Sequence, residues 1–304
     1  MLSINTNNAS MAAVNAINKS NASLSTSMER LATGNRINSS ADDAAGKQIA
    51  NRLSAQSSGM GVALSNIQDA TAMLQTADST FDEMTDVLGR MQDLSTQAAN
   101  GTYSDDDLQA MQDEYDELGQ QMSDMLQNTT YGGTNLFGDA TTSNTKKDGL
   151  FTSSVTFQVG AESSDTMTVD ISSQLSDLTD ALGDVSASFT ADQADATGSA
   201  PLSGGSELTA SGSANSMIDT IQTAMDDVSK IQSKLGASIN RLNDTANNLT
   251  SMQDNTEVAI GNIMDTDYAT EASNMTKQQV LMQTGITMLK QSNSMSSMVS
   301  SLLQ

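Results

Sequence analysis

The chain has 304 residues, 37% apolar and only 3% aromatic, with 37 acids against 13 bases and a formal net charge of −24. It holds neither Cys nor His, which excludes disulfides, thiolate chemistry, imidazole acid–base catalysis and the commonest transition-metal ligand. No apolar run approaches the roughly 18 residues that span a bilayer, and no basic patch accompanies the aromatics to hold nucleic acid.

Charge is unevenly spread. Residues 1–52 carry three acids and five bases, and residues 230–304 carry six acids and five bases. Between them, residues 53–229 carry 28 acids against Arg90, Lys146 and Lys147. Near-neutral ends around an acidic middle fit ends buried in an assembly and a middle left in water. The opening Met1-Leu2-Ser3-Ile4-Asn5 lacks the basic region and apolar core of an ordinary signal peptide.

In chain order, the first segment, to about residue 33, places Met11, Val14, Ile17, Leu24, Met28 and Leu31 on one helical face, with Asn21 between them. Gly34 and Asn38-Ser39-Ser40 interrupt it, and a Ser or Asp caps the restart. Ile67, Ala70, Leu74, Ala77, Phe81, Met84, Leu88 and Met91 then alternate spacings of three and four, the seam of a coiled-coil-like helix. Asn100-Gly101 stops that helix. Ser104 with Asp107 opens the next as a capping-box analogue. Its seam runs Leu108, Met111, Tyr115, Leu118, Met122 and Met125, and Tyr131-Gly132-Gly133 is expected to end it.

A change of period follows. Val155, Phe157 and Val159 alternate, Gly160 to Asp165 turns, and Met167, Val169 and Ile171 alternate on the return, which reads as a β-hairpin. Two strands are marginal alone, so they are expected to lie against the helices. Residues 172–214 are rich in Ser, Ala, Asp, Thr and Gly around Pro201, with one short helix through Leu175, Leu178 and Leu182. A third long helix begins near Ala214, its seam running Ile218, Ile221, Met225, Val228, Ile231, Leu235, Ile239, Leu242, Ala246 and Leu249. The tail, Ala272 to Gln304, has no acid. In it Leu281, Met288, Met295 and Leu302 recur every seven residues beside Met298, Val299 and Leu303. Gly285, Ser292 and Ser296-Ser297 dilute this stripe, so the tail reads as a helix that needs another chain to cover it.

Candidate chemistry is thin. Asp105-Asp106-Asp107 lacks the spacing of a calcium loop and suits a helix N-terminus. Asp42-Asp43 and Asp226-Asp227 are helical neighbours that do not face each other, so neither is a hydrolytic dyad. The methionines follow seam spacing, which marks packing over metal binding. The chain is therefore expected to be no enzyme and to need no cofactor.

Two long stretches carry a resemblance. Leu31-Ala-Thr-Gly-Asn-Arg-Ile-Asn-Ser-Ser-Ala-Asp-Asp-Ala-Ala-Gly-Lys-Gln-Ile-Ala-Asn-Arg-Leu53 resembles the N-terminal signature of bacterial flagellins. Met264-Asp-Thr-Asp-Tyr-Ala-Thr-Glu-Ala-Ser-Asn-Met275, with Gln279-Val280-Leu281 and Ser301-Leu302-Leu303, is similar to the C-terminal one, and Gly236 to Leu242 agrees. The likeness covers roughly residues 1–140 and 215–304. Gln291-Ser292-Asn293-Ser294 departs from the family's Gln-Ala-Asn-Gln, and the family's nearby Pro is missing.

The resemblance implies a mainly α protein, a long antiparallel coiled-coil-like helical rod with a small β-hairpin, whose terminal helices pair into a filament core. The implied segments are 1–42 (N-terminal core helix and joint), 43–145 (rod helices), 146–214 (hairpin and short variable outer segment), 215–262 (C-terminal rod helix) and 263–304 (C-terminal core helix). It implies a structural protein that polymerises into the flagellar filament for motility, its terminal helices ordering on assembly; a related hook–filament junction protein is the alternative. Met11, Val14, Ile17, Leu24, Met28, Leu31, Leu281, Met288, Met295, Val299 and Leu302 would form the self-assembly core. Implied partners are further copies of the chain, the flagellar cap and hook-associated junction proteins, a secretion chaperone and the flagellar export apparatus. The implied location is extracellular, in the flagellum, after type III export without a cleaved signal peptide. In flagellins sensed by the vertebrate Toll-like receptor for flagellin, an Arg, a Leu four residues on and a Glu on the next helix form the contact; Arg90, Leu94 and Glu114 match them here. Gly89 and Gln92 depart from that pattern.

Overall fold

The computed structural model describes residues 7–138, 149–189, 205–210 and 212–302. The expected segment around Pro201 lies outside the described residues. Among the described residues the long helices run α1 (Asn8–Thr33), α2 (Ala44–Ala98), α3 (Asp105–Asn128), α4 (Ser172–Val185), α5 (Ser213–Met264) and α6 (Tyr268–Leu302). Two short antiparallel hairpins pair β1 (Thr130–Tyr131) with β2 (Thr134–Asn135), and β3 (Val155–Gln158) with β4 (Thr166–Val169). Contacts divide the chain into two compact units, residues 59–252 and a second formed by residues 1–58 with 253–304.

The first unit is built on the expected seams. Ile67, Ala70, Leu74, Ala77, Phe81, Met84, Leu88 and Met91 are all buried in one core with Met111, Tyr115 and Met122 of α3 and Ile221, Val228, Ile231, Leu235 and Leu242 of α5. Alternating steps of three and four keep one face of each helix turned inward. Helices α2 and α3 run antiparallel, since Thr80 meets Thr129 and Arg90 meets Glu114. Ser104 caps α3 with a reciprocal capping box, its hydroxyl accepting from Asp107 N while the Asp107 carboxylate accepts from Ser104 N.

The end of α3 differs from expectation. The helix stops at Asn128, and Gly132 and Gly133 form the turn of the β1–β2 hairpin. Both adopt positive φ, 58° and 83°, the conformation a two-residue hairpin turn of the primed type needs at both central positions. Asn135 Oδ1 accepts from the backbone N–H groups of Phe137 and Gly138 and seats Phe137. That ring meets Phe81 edge-on at 4.9 Å.

The second hairpin is as the alternation predicts, with Val155 opposite Val169 and Phe157 opposite Met167. Met167, Val169 and Ile171 are buried in the core, as are Leu175, Leu178 and Leu182 of α4. One polar feature has no sequence signal. Gln112, 0% exposed, donates to Asp116 Oδ1 (2.9 Å) and Glu207 Oε2 (2.7 Å) and accepts from Leu208 N (2.8 Å). Glu207 also accepts from Ala187 N at 2.7 Å. Burial pushes the Asp116 carboxyl above its ordinary value, outweighing the Gln112 hydrogen bond.

In the second unit, Asn7 caps α1 by accepting from Ser10 N. Gly34 ends it in the left-handed region, φ 76°, its N–H donating to Arg30 O. Asp43 caps the restart, its carboxylate accepting from Gly46 N at 2.9 Å.

Candidate self-assembly surface

Within the second unit α1 and α6 lie side by side, antiparallel. At one end Arg36 N donates to Met264 O (2.6 Å) and Thr266 N to Gly34 O (2.9 Å). Tyr268 Oη donates to Leu31 O at 2.6 Å, and the Arg30 guanidinium stands 3.9 Å from the buried Glu271 carboxylate. At the other end Asn7 Nδ2 and Ser10 Oγ donate to Ser292 Oγ at 3.0 and 3.1 Å. The register is constant between them.

The facing residues are only in part those that apolar spacing selected. On α1 the buried or half-buried line is Ser10, Ala13, Ile17, Ser20, Leu24, Ser27 and Leu31; on α6 it is Glu271, Met275, Gln278, Met282, Gly285, Leu289 and Ser292. Both alternate threes and fours, but small and polar residues fill about half of each. Gly285 lets the helices approach at Ile17, where a β-carbon would meet Ile17 Cγ1 at 2.8 Å.

Of the expected core residues, Ile17, Leu24 and Leu31 therefore serve the pairing inside the chain. The rest do not. Met11 (56%), Val14 and Met28 on α1, and Leu281, Met288 (63%) and Met295 (56%) on α6, are exposed. Leu281 and Met288 each precede a seam residue, Met282 and Leu289, and so sit about 100° around the helix from the seam. The side chains of Val299 and Leu302 lie outside the described residues. On α6 apolar content marked one stripe, whereas close approach selected the neighbouring one.

Burial within this pair is slight. Only Leu24 and Ser27 of α1 are buried, and Glu271 is the buried residue of α6 among those described. The pair thus has a weak seam inside and an apolar surface outside.

The structure places the expected receptor triad in the other unit and splits it. Arg90 donates through Nε to Glu114 Oε1 at 2.9 Å, with Nη2 at 2.7 Å from the same oxygen, and both side chains are about half exposed. Leu94 is 2% exposed, as its seam position demands, so the exposed pair alone faces solvent. No described helix is long and apolar enough to cross a membrane. Among the described residues no cluster of three or more Asp or Glu is arranged to hold a metal ion.

The chain is similar to known proteins along its whole length. Flagellin A of Vibrio anguillarum is 30% identical over an alignment of 377 positions that covers 100% of both chains. Polar flagellin C of Vibrio parahaemolyticus is 31% identical, again over 100% of both. A solved structure described as a putative flagellar hook-associated protein from Vibrio parahaemolyticus shares the fold, with a TM-score of 0.57 at 18% identity over 74% of this chain and 100% of that one. Residues 4–142 match the bacterial flagellin N-terminal helical region and residues 218–303 the bacterial flagellin C-terminal helical region. With both regions present, in order and spanning most of its length, the chain belongs to the bacterial flagellin family.

Proposed function

We propose that the α1–α6 pair is the polymerising face of this flagellar filament subunit, and that neighbouring copies cover the apolar residues the pair leaves outside. The observation that carries this reading is the exposure of Met11, Val14, Met28, Leu281, Met288 and Met295 after α1 and α6 have already met. Each such side chain contributes about 1.5–3 kcal/mol when fully covered. A pair with so little burial of its own is marginal in the single chain and becomes firmly ordered on assembly. Weak terminal order also suits passage of an unfolded subunit through the flagellar export apparatus, with a secretion chaperone holding the apolar stripes until release. The same stripes would meet the cap and the hook-associated junction proteins at the filament ends. The acidic segment 53–229 stays in solvent and keeps free subunits apart until the correct surfaces meet.

The test is removal of residues 281–304. The unit at residues 59–252 keeps its helical signal and cooperative unfolding, while addition to filament seeds stops. Normal elongation would refute the assignment. Electron microscopy of the parent chain with seeds separates a filament subunit, which gives long polymers, from a junction protein, which caps them. Recognition by the Toll-like receptor for flagellin is a separate proposal, supported by the exposed Arg90–Glu114 pair. Arg90→Asp should abolish signalling with filaments intact, and silence of the parent monomer would end it.

A further inference from the structure

We propose that the exposed methionines of the paired terminal helices are an oxidation site through which peroxides switch off assembly. This rests on the filament reading above and adds a modification to the same surface.

The chain has 20 Met and no Cys, Trp or His, so thioethers are its main targets for a two-electron oxidant. Among the described residues two groups stand at the extremes. Met60, Met84, Met91 and Met122 are at most 1% exposed inside the core of residues 59–252. Met288 (63%), Met295 (56%), Met11 (56%) and Met28 (47%) stand in solvent on α6 and α1. Met288 and Met295 continue a single heptad line with Leu281, so oxidant reaches a coherent stripe.

The chemistry is closed. The thioether sulfur attacks one peroxide oxygen, the O–O bond breaks and an S–O bond forms. Sulfur loses two electrons to give the sulfoxide, and the departing hydroxide takes a proton to leave as water. An apolar, flexible side chain becomes a polar one with a strong acceptor. Covering that acceptor with a neighbour's apolar surface leaves it without a donor, which opposes burial. The thioether carries no titrating proton, so the site responds to oxidant at any ordinary pH.

The experiment treats purified full-length chain with hydrogen peroxide, maps oxygen uptake by peptide mass spectrometry and measures elongation from seeds. Met11, Met28, Met288 and Met295 should each gain one oxygen well before Met60, Met84, Met91 and Met122, and elongation should fall at least tenfold. Methionine sulfoxide reductases should restore it. The same four residues should be shielded in preformed filaments. A chain with all four changed to Leu should elongate after peroxide as before; if that variant does not assemble untreated, the reductase arm decides. Equal oxidation of the buried set, or elongation at the parent rate after the four are oxidised, overturns the proposal. An untreated parent that does not elongate overturns the filament reading instead, while the order of oxygen uptake still judges the site.

Discussion

Gly285 of α6 lies against Ile17 of α1 so closely that a β-carbon there would stand 2.8 Å from Ile17 Cγ1. Gly285→Ala is therefore expected to loosen the terminal pair. Overpacking costs about 1–3 kcal/mol, which outweighs the gain of about 1 kcal/mol from a better helix former. Amide exchange across α1 and α6 should quicken, and this measurement checks the prediction. Gly236→Ala gives the opposite sign: nothing lies within 4 Å of that β-carbon, so the helix gain stands alone and the melting temperature rises.

Tyr115 is 0% exposed and its hydroxyl donates to Val185 O at 2.9 Å. Burial pushes its ionisation far above the ordinary tyrosine value. Tyr115→Phe leaves a buried carbonyl without its donor and should cost about 1–3 kcal/mol. A lower denaturant midpoint with an unchanged slope checks it.

Carboxylates at helix starts and turns set the acid limit. Ser104 side-chain and backbone donors hold Asp107 below its usual value; Ser172 does the same for Asp170 and Thr270 for Asp267. A lowered folded pKa gives stability that is present above the unfolded value, about 4, and is lost as pH falls through the folded one. Thermal unfolding should show a drop below that point, smaller in Asp107→Asn.

Asp116 has the opposite sign. Burial raises its pKa, so the charged form is a penalty at neutral pH that is relieved on acidification. Asp116→Asn keeps an acceptor for Gln112 and should raise the melting temperature at pH 7, with the advantage shrinking in acid.

The Arg90–Glu114 pair, about half exposed on both sides, should contribute only about 0–1 kcal/mol. Arg90→Ala is thus expected to leave the unfolding midpoint nearly unchanged, checked by a double-mutant cycle with Glu114→Ala. Any effect on receptor signalling is then a contact effect.

Much of the fold is legible in the residues because the seams of α2, α3 and α5 have one dominant stripe each. Phe81, Met84 and Leu88 have no rival face, so period alone settles which side is buried. The β3–β4 hairpin is legible because its period shifts to two. The terminal helices carry two rival stripes. Met275, Met282 and Leu289 recur every seven residues as regularly as Leu281, Met288 and Met295. Counting apolar residues favours the second stripe; geometry selects the first, because Gly285 and Ser292 beside it permit contact with Ile17 and Ser10. Leu94 shows the reverse case, where seam periodicity outranks a motif match. The Gln112–Glu207–Leu208 link joins residues far apart in sequence through single polar groups, and no local pattern announces it.

The antiparallel alignment of α1 with α6, fixed at Gly34–Thr266 and at Ser10–Ser292, ties the lengths of the two ends together. Shortening either by seven residues strips one layer from both, so a viable trim must be made twice. Insertions near residue 190, far along the chain from these anchors, leave that alignment untouched. The extremities therefore tolerate change only in matched steps, and foreign sequence is best carried in the interior.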